Sequence, residues 1–183
     1  MEIFLDTNVY LHCVPLEEIW WEEVFGESHV TILIPKIIIN ELDKCASDSN
    51  SRISKRAKSV LKQIDEIGLS GKITKNIEIK LIKNVPPDDV FQRENLDRLW
   101  ADDYIIATVK CFNGFAPIVT NDTRMKIKCH LHEVLVHVIP EKFVLKKTES
   151  EEAKQIRKLK EELHKHTALT PRLEFSFLDD STF

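Results

Sequence analysis

Apolar and polar positions alternate along this chain in two rhythms. Ile3-Phe4-Leu5 and Val30-Thr31-Ile32-Leu33-Ile34 are short, nearly unbroken aliphatic runs, the pattern of strands covered on both faces. Between and after them the apolar residues recur at helical spacing. Over 51–67, Ile53, Ala57, Val60, Leu61 and Ile64 fall on one face, and Arg52, Lys55, Arg56, Lys58 and Lys62 occupy the other, with Gly68 and Gly71 closing the helix. Pro35 suits the first turn of a helix that continues from Lys36 to Ala46. The remaining pattern predicts a strand over Ile73–Ile79, a loop over Val85–Asp89 imposed by Pro86 and Pro87, and a helix from Leu96 to Phe112 closed at Asn113-Gly114. Short strands are expected at Ile118–Thr120 and Leu135–Ile139. Strands alternating with helices predict an α/β domain with a mainly parallel sheet.

Beyond Phe143 the character changes. Thr148-Glu149-Ser150-Glu151 fits a capping box opening a charged helix over 148–167, whose Ile156, Leu159 and Leu163 make a narrow seam. Leu173, Phe175 and Phe177 then alternate with polar residues, as in a strand. The expected division is a domain over 1–147 and an extension over 148–183. That extension, a connecting helix and a strand, would begin a second domain or dock on a partner, including a second copy of the chain.

Composition narrows the class. With 183 residues, 43% hydrophobic and 31% charged, the chain is neither a disordered tail nor a membrane protein. Its apolar runs fall far short of the ~18 residues of a spanning helix. Cys13, Cys45, Cys111 and Cys129 form no C-x-x-C pair, and the N-terminus has no basic or apolar leader. Buried free thiols in a reducing cytoplasm are therefore expected, without zinc or disulfides. His130-x-His132 adds no zinc spacing, and no phosphate-binding G-x-x-x-x-G-K-[ST] loop exists.

A net charge of −4 argues against nucleic acid only while the chain is taken whole. Residues 1–50 carry 2 basic and 10 acidic side chains, whereas residues 51–100 carry 11 and 7. Arg52, Lys55, Arg56, Lys58 and Lys62 form one candidate nucleic-acid contact, equally readable as a solvated helix face, and Arg124, Lys126 and Lys128, just after Asp122 and nearer the candidate metals, form a second for which that plain reading is weaker. Trp20, Trp21 and Trp100 are expected in the core or an interface rather than as stacking platforms.

Four acids abut apolar elements. Asp6 ends the first strand and Asp122 a later one, Glu41 lies on the helix after the second strand, and Asp103 falls at helical spacing from Leu96, Leu99 and Ile106. In a parallel sheet the strand ends share one edge, where such folds bind ligands, so Asp6 and Asp122 meet there and Glu41 and Asp103 can join them. Carboxylates so gathered repel one another unless cations are present, and oxygen-only donors suit Mg²⁺ or Mn²⁺. Two such ions clamp the attacking and leaving oxygens of a phosphodiester. Singly, each acid has a plainer reading as a turn residue, a helix cap or a solvated glutamate.

Phe4-Leu5-Asp6-Thr7-Asn8-Val9, Ile34-Pro35 with Asn40-Glu41-Leu42-Asp43-Lys44, Asp102-Asp103-Tyr104-Ile105-Ile106-Ala107 and Val119-Thr120-Asn121-Asp122 together resemble a PIN domain over about residues 2–140. The N-E-L-D-K stretch with its basic helix, and Asp122-x-x-x-Lys126-x-Lys128, are similar to the PIN modules of PhoH-type ATPases and RNA-decay factors. The resemblance implies a three-layer α/β/α sandwich and metal-dependent endonuclease cleavage of RNA, typically single-stranded, with Mg²⁺ or Mn²⁺. It assigns the catalytic acids to Asp6, Glu41, Asp103 and Asp122, an extra or water-mediated ligand to Asp102, and supporting roles to Thr7, Asn8, Thr120 and Asn121. A structure-selective DNA nuclease and a catalytically silent RNA-binding or scaffolding module are the alternatives.

Overall fold

The computed structural model describes residues 1–49, 51–112, 116–145, 155–156 and 158–164, apart from the side chains of Ser51 and Ser70. The chain divides into two compact units, Met1–Leu145 and Lys146–Phe183. In the first, the elements run β1 (Glu2–Leu5), α1 (Thr7–His12), α2 (Trp21–Phe25), β2 (Val30–Pro35), α3 (Lys36–Ala46), α4 (Ser51–Ile67), β3 (Ser70–Lys72), β4 (Ile77–Ile82), α5 (Asp88–Arg93), α6 (Ala101–Cys111), β5 (Ile118–Val119), α7 (Thr123–Leu131) and β6 (Val136–His137). In the second, residues 155–156 and 158–164 are helical, and Ile156, Leu159 and Leu163 of the expected seam are exposed. The expected capping box at Thr148 and the strand at Leu173–Phe177 lie outside the described residues.

The sheet order is β3-β4-β2-β1-β5-β6, parallel throughout except for β3 against β4. Consecutive residues Ile3-Phe4-Leu5 and Ile32-Leu33-Ile34 are all fully buried, so both sheet faces are covered by helices, which is a three-layer α/β/α arrangement. Each such side chain contributes about 1.5–3 kcal/mol by leaving water.

The expected helices at 36–46 and 51–67 form with those bounds, and the α4 stripe packs inward through Ala57, Val60 and Ile64, with Ile53 and Leu61 half-buried. Pro35 is paired in β2 and stands at the N-cap of α3 rather than inside its first turn. Gly68 takes the left-handed φ of +73° that ends α4. Gly71 instead belongs to β3, where a Cβ would lie 2.9 Å from Ile67 Cγ2.

Other expectations shift. The strand expected at 73–79 forms at 77–82, because residues 73–77 make a turn closed by Ile73 N–H on the Ile77 carbonyl. Pro87 does not hold Asp88 and Asp89 in a loop; it is the N-cap of α5, with both acids in the first turn. The helix expected from Leu96 starts at Ala101, and Leu99, placed on its buried stripe by spacing, is 91% exposed. Asn113 and Gly114 lie outside the described residues. The last strand is confined to Val136–His137, with Leu135 and Val138 exposed. Of the free cysteines, Cys13 and Cys129 are buried, Cys45 is half-buried and Cys111 is exposed, against the expectation of four buried thiols.

Candidate active site

The chain goes from β1 to β2 on one side of the central strand and later returns to place β5 on the other side. This reversal opens a crevice at the carboxyl ends of β1 and β5, where open α/β sheets bind ligands. Asp6 emerges there from β1, its N–H bonded to the Val119 carbonyl at 3.0 Å, and Thr120 to Asp122 emerge from β5.

Asp6 is at the N-cap of α1 but its side chain caps nothing. Its Oδ2 accepts instead from Thr120 Oγ1 at 2.6 Å and from Asn8 Nδ2 at 3.2 Å. The residue is only 4% exposed. Burial raises its pKa above the ordinary carboxyl value, the Thr120 and Asn8 hydrogen bonds pull the other way, and the charge of Asp102 raises it again.

Asp122 does cap its helix: Oδ1 accepts from the N–H groups of Arg124 and Met125 at 2.7 and 3.2 Å. Its own N–H donates to Thr120 Oγ1 at 3.0 Å, so the fully buried Thr120 hydroxyl joins the two strand-end acids. Glu41, half-buried on α3, accepts through Oε2 from Thr7 Oγ1 at 2.7 Å, which ties it to the residue after Asp6. Asp102 and Asp103 occupy the first turn of α6, where the helix dipole favours negative charge.

The neighbouring acids on α6 divide their tasks. Asp103 accepts from Asp97 N–H on Oδ2 at 2.9 Å and from Lys128 Nζ on Oδ1 at 2.6 Å. Asp102 is 3.5 Å from Lys128 Nζ and is the acid whose charge acts on Asp6. Burial opposes the Lys128 charge, but the Asp103 hydrogen bond and the two carboxylates outweigh it, and its pKa is raised. Below the acids, burial together with the charges of Asp6 and Asp102 pushes the Cys129 thiol up to about 12, leaving it inert. Tyr10 is also buried near Asp6, and its hydroxyl has no hydrogen-bond partner among the described residues.

Several predicted site residues are employed elsewhere. Asn121 donates to and accepts from the backbone of Ile139, at 3.0 Å each way, which anchors the segment after β6. Arg56 is not a solvent-facing phosphate contact: its guanidinium binds the Tyr10 and Cys13 carbonyls, satisfying the carboxyl end of α1, opposite Asp6. Lys62 pairs with Glu66 at 3.5 Å, while Arg52, Lys55 and Lys58 lie on the exposed face of α4. Arg124 is exposed and Lys126 half-buried on α7. A cavity of about 330 Å³ lies between α1 and α4, lined by Tyr10, Leu16, Arg56 and Val60, and none of the candidate acids lines it. Trp21 is buried as expected, but Trp20 and Trp100 are 67% and 61% exposed. The spacing of Lys126 and Lys128 after Asp122 had marked Lys128 as basic and close to the site; its carboxylate partners required the fold.

The donors at this edge are oxygen-only, which suits a hard divalent cation, and Asp6 and Asp102, whose charges act on each other, are the pair that could hold one; Thr120 links Asp6 to Asp122, and Thr7 links Glu41 to the residue after Asp6. Among the described residues no three acids, histidines or cysteines converge closely enough to hold an ion as they stand, and Lys128 supplies the counter-charge to Asp102 and Asp103. No helix among the described residues is long and apolar enough to cross a membrane. A family model for the PIN domain matches residues 3–139 of the chain. No curated protein matches it.

Proposed function

The chain belongs to the PIN-domain family, a nuclease-type fold whose members are generally metal-dependent, and from that premise we propose that it is an endoribonuclease cutting single-stranded RNA with Mg²⁺ or Mn²⁺. The observation that carries the reading is Asp6. A buried aspartate at a helix N-cap whose carboxylate is turned to Thr120 and Asn8, and whose pKa is raised first by burial and then by the charge of Asp102, is arranged for something other than stability.

A bound divalent cation supplies charge neutralisation at the phosphate and makes water more acidic. The chain's own residues do the rest. Thr7 holds Glu41 through Oε2, which leaves Oε1 to take a proton from the attacking water. The water oxygen bonds to phosphorus, the P–O3′ bond breaks in line, and the 3′-oxygen leaves with the electron pair to be protonated by solvent. The products are a 5′-phosphate and a 3′-hydroxyl. Thr120 and Asn8 fix the rotamer of Asp6, and Asp97 N–H and Lys128 fix Asp103.

The test is cleavage of a single-stranded RNA with Mn²⁺, alongside single-stranded and flap DNA. Asp6→Asn and Asp102→Asn should abolish cleavage, and Asp103→Asn, as a brace, should reduce it roughly 10–100-fold. Wild-type activity in both Asp6→Asn and Asp102→Asn sinks the site assignment, and preference for flap DNA moves the substrate to DNA.

A further inference from the structure

The turn before α6 presents two large apolar residues to solvent at the rim of the acidic crevice. Leu99 is 91% exposed and Trp100 61% exposed, and Asp102 follows two residues later. The turn is fastened on every side. Asp97 Oδ1 accepts from Leu99 N–H at 2.9 Å, the Asp97 carbonyl accepts from Trp100 N–H at 3.2 Å, and the Trp100 carbonyl accepts from Tyr104 N–H at 2.9 Å. The N–H of Asp97 donates to Asp103 Oδ2, Asp103 Oδ1 receives Lys128 Nζ, and that ammonium lies 5.9 Å from the centroid of the Trp100 ring. Indole, ammonium, carboxylate and turn thus form a closed circuit. Leaving an indole in water forfeits burial, and a turn held by this many bonds keeps the ring where it is.

We infer that Trp100 is a stacking platform for a base of single-stranded nucleic acid, placed so that the adjoining phosphate falls beside Lys128 at the rim of the acidic crevice. Charge selects this occupant. Arg124 and Lys128 lie one turn apart on the same face of α7, with Lys128 in contact with Asp102 and Asp103, so a polyanion with planar apolar faces matches both these cations and the indole. Aromatic stacking on every base also makes the platform tolerant of sequence and selective for unpaired strands. The inference rests on the nuclease reading, because a base held here positions the neighbouring phosphodiester at Asp6 and Asp102.

The experiment measures binding of a fluorescein-labelled oligouridylate of about twelve nucleotides to the full chain carrying Asp6→Asn, which leaves the probe uncut. In that background Trp100→Ala should weaken binding by about 5- to 150-fold, whereas Trp100→Phe should retain most of it. Trp20→Ala, equally exposed but packed against Phe143, should bind like the parent. An abasic ribose-phosphate chain of the same length should bind the parent and Trp100→Ala alike, because the platform reads only the base. Equal affinity of parent and Trp100→Ala for oligouridylate overturns the platform while leaving the nuclease reading intact, and so does an equal loss on the abasic probe. A change of oligomeric state in Trp100→Ala with unchanged RNA affinity overturns it in favour of a self-association surface. A parent that binds neither RNA nor DNA overturns both readings. Stronger binding of single-stranded DNA supports the platform and moves only the substrate.

Discussion

Thr120→Val removes one buried hydroxyl that serves two acids, and its cost follows from the bonds it breaks. Valine keeps the shape, so no cavity opens. Asp6 Oδ2 loses the 2.6 Å bond and retains only Asn8 at 3.2 Å, and Asp122 N–H loses its acceptor. A net hydrogen bond is worth about 1 kcal/mol, more when the acceptor is charged or a donor is left unsatisfied, which gives about 2–3 kcal/mol for the pair. In a unit of this size that is roughly 6–12 °C in Tm. Thr120→Ser, which keeps the hydroxyl and loses a methyl group, should cost only about 1 kcal/mol.

The penalty should also depend on pH. The folded pKa of Asp6 lies above its ordinary value of 3.8. Its contribution to stability is therefore complete below 3.8 and falls as pH rises through the interval up to the folded value, where it levels off. Thr120 favours the ionised form, so its removal raises the folded pKa further and widens that interval. Denaturant titrations in EDTA should show a larger difference between wild type and Thr120→Val at neutral pH than at about pH 4. A penalty below about 0.5 kcal/mol, or one that does not change with pH, refutes the claim that this hydroxyl holds Asp6.

Lys128→Met removes the cation between Asp102 and Asp103. The metal-free protein should melt lower, and added Mn²⁺ should raise its Tm more than it raises that of the wild type, since the ion no longer competes with a resident ammonium. Equal Mn²⁺ shifts measured by thermal denaturation would sink this. Glu133 sits at φ +53° after α7, where Val134 N–H reaches back to the Cys129 carbonyl at 2.8 Å. Glu133→Gly relieves that left-handed conformation and should stabilise the fold by about 0.5–1 kcal/mol in chemical denaturation, while a loss of stability contradicts the strain argument.

The central strands and the two long helices were legible because their periodicity answers to a single demand, burial. Ile32-Leu33-Ile34 can only be covered on both faces, and the α4 stripe can only face inward. What was not legible depended on competition between local bonds. The helix expected from Leu96 fails to start there because the carboxylates of Asp97 and Asp103 bind the backbone of the turn, an alternative to helix that spacing does not register. Pro86 and Pro87 signalled a break, whereas Pro87 followed by two acids was a helix start. At the crevice, the order of strands and helices was enough to place Asp6 and Asp122 at neighbouring strand ends, where Thr120 links them. Asp102 and Asp103 are neighbours some 100° apart around a helix, so which one faces Asp6 was decided by packing. Arg56 and Asn121 were drawn elsewhere by orphan carbonyls and N–H groups that no motif announces.

The way each acid is held separates braces from candidate ligands. Both oxygens of Asp103 already carry a donor, Asp97 N–H on one and Lys128 on the other, and the Asp97 bond ties this acid to the turn that carries Trp100. The other three are held by neutral donors. Asp6 takes the Thr120 and Asn8 side chains on Oδ2, Glu41 uses Oε2 and Asp122 uses Oδ1, and for Glu41 and Asp122 the second oxygen has no hydrogen bond among the described residues. In these two, one oxygen orients the carboxylate and the other stays open, which is the division a cation site requires: pre-organisation without occupation of the donor. Asp102 completes the set differently. Among the described residues its ion-pair partner is Lys128 at 3.5 Å, a cation on a flexible stem that can give way to a divalent ion or to a phosphate. Neutral donors orient Asp6, Glu41 and Asp122, and among the described residues a cation pairs with Asp102 and Asp103 only. Lys128, 2.6 Å from Asp103 and 3.5 Å from Asp102, is the cation that a divalent ion would displace from Asp102.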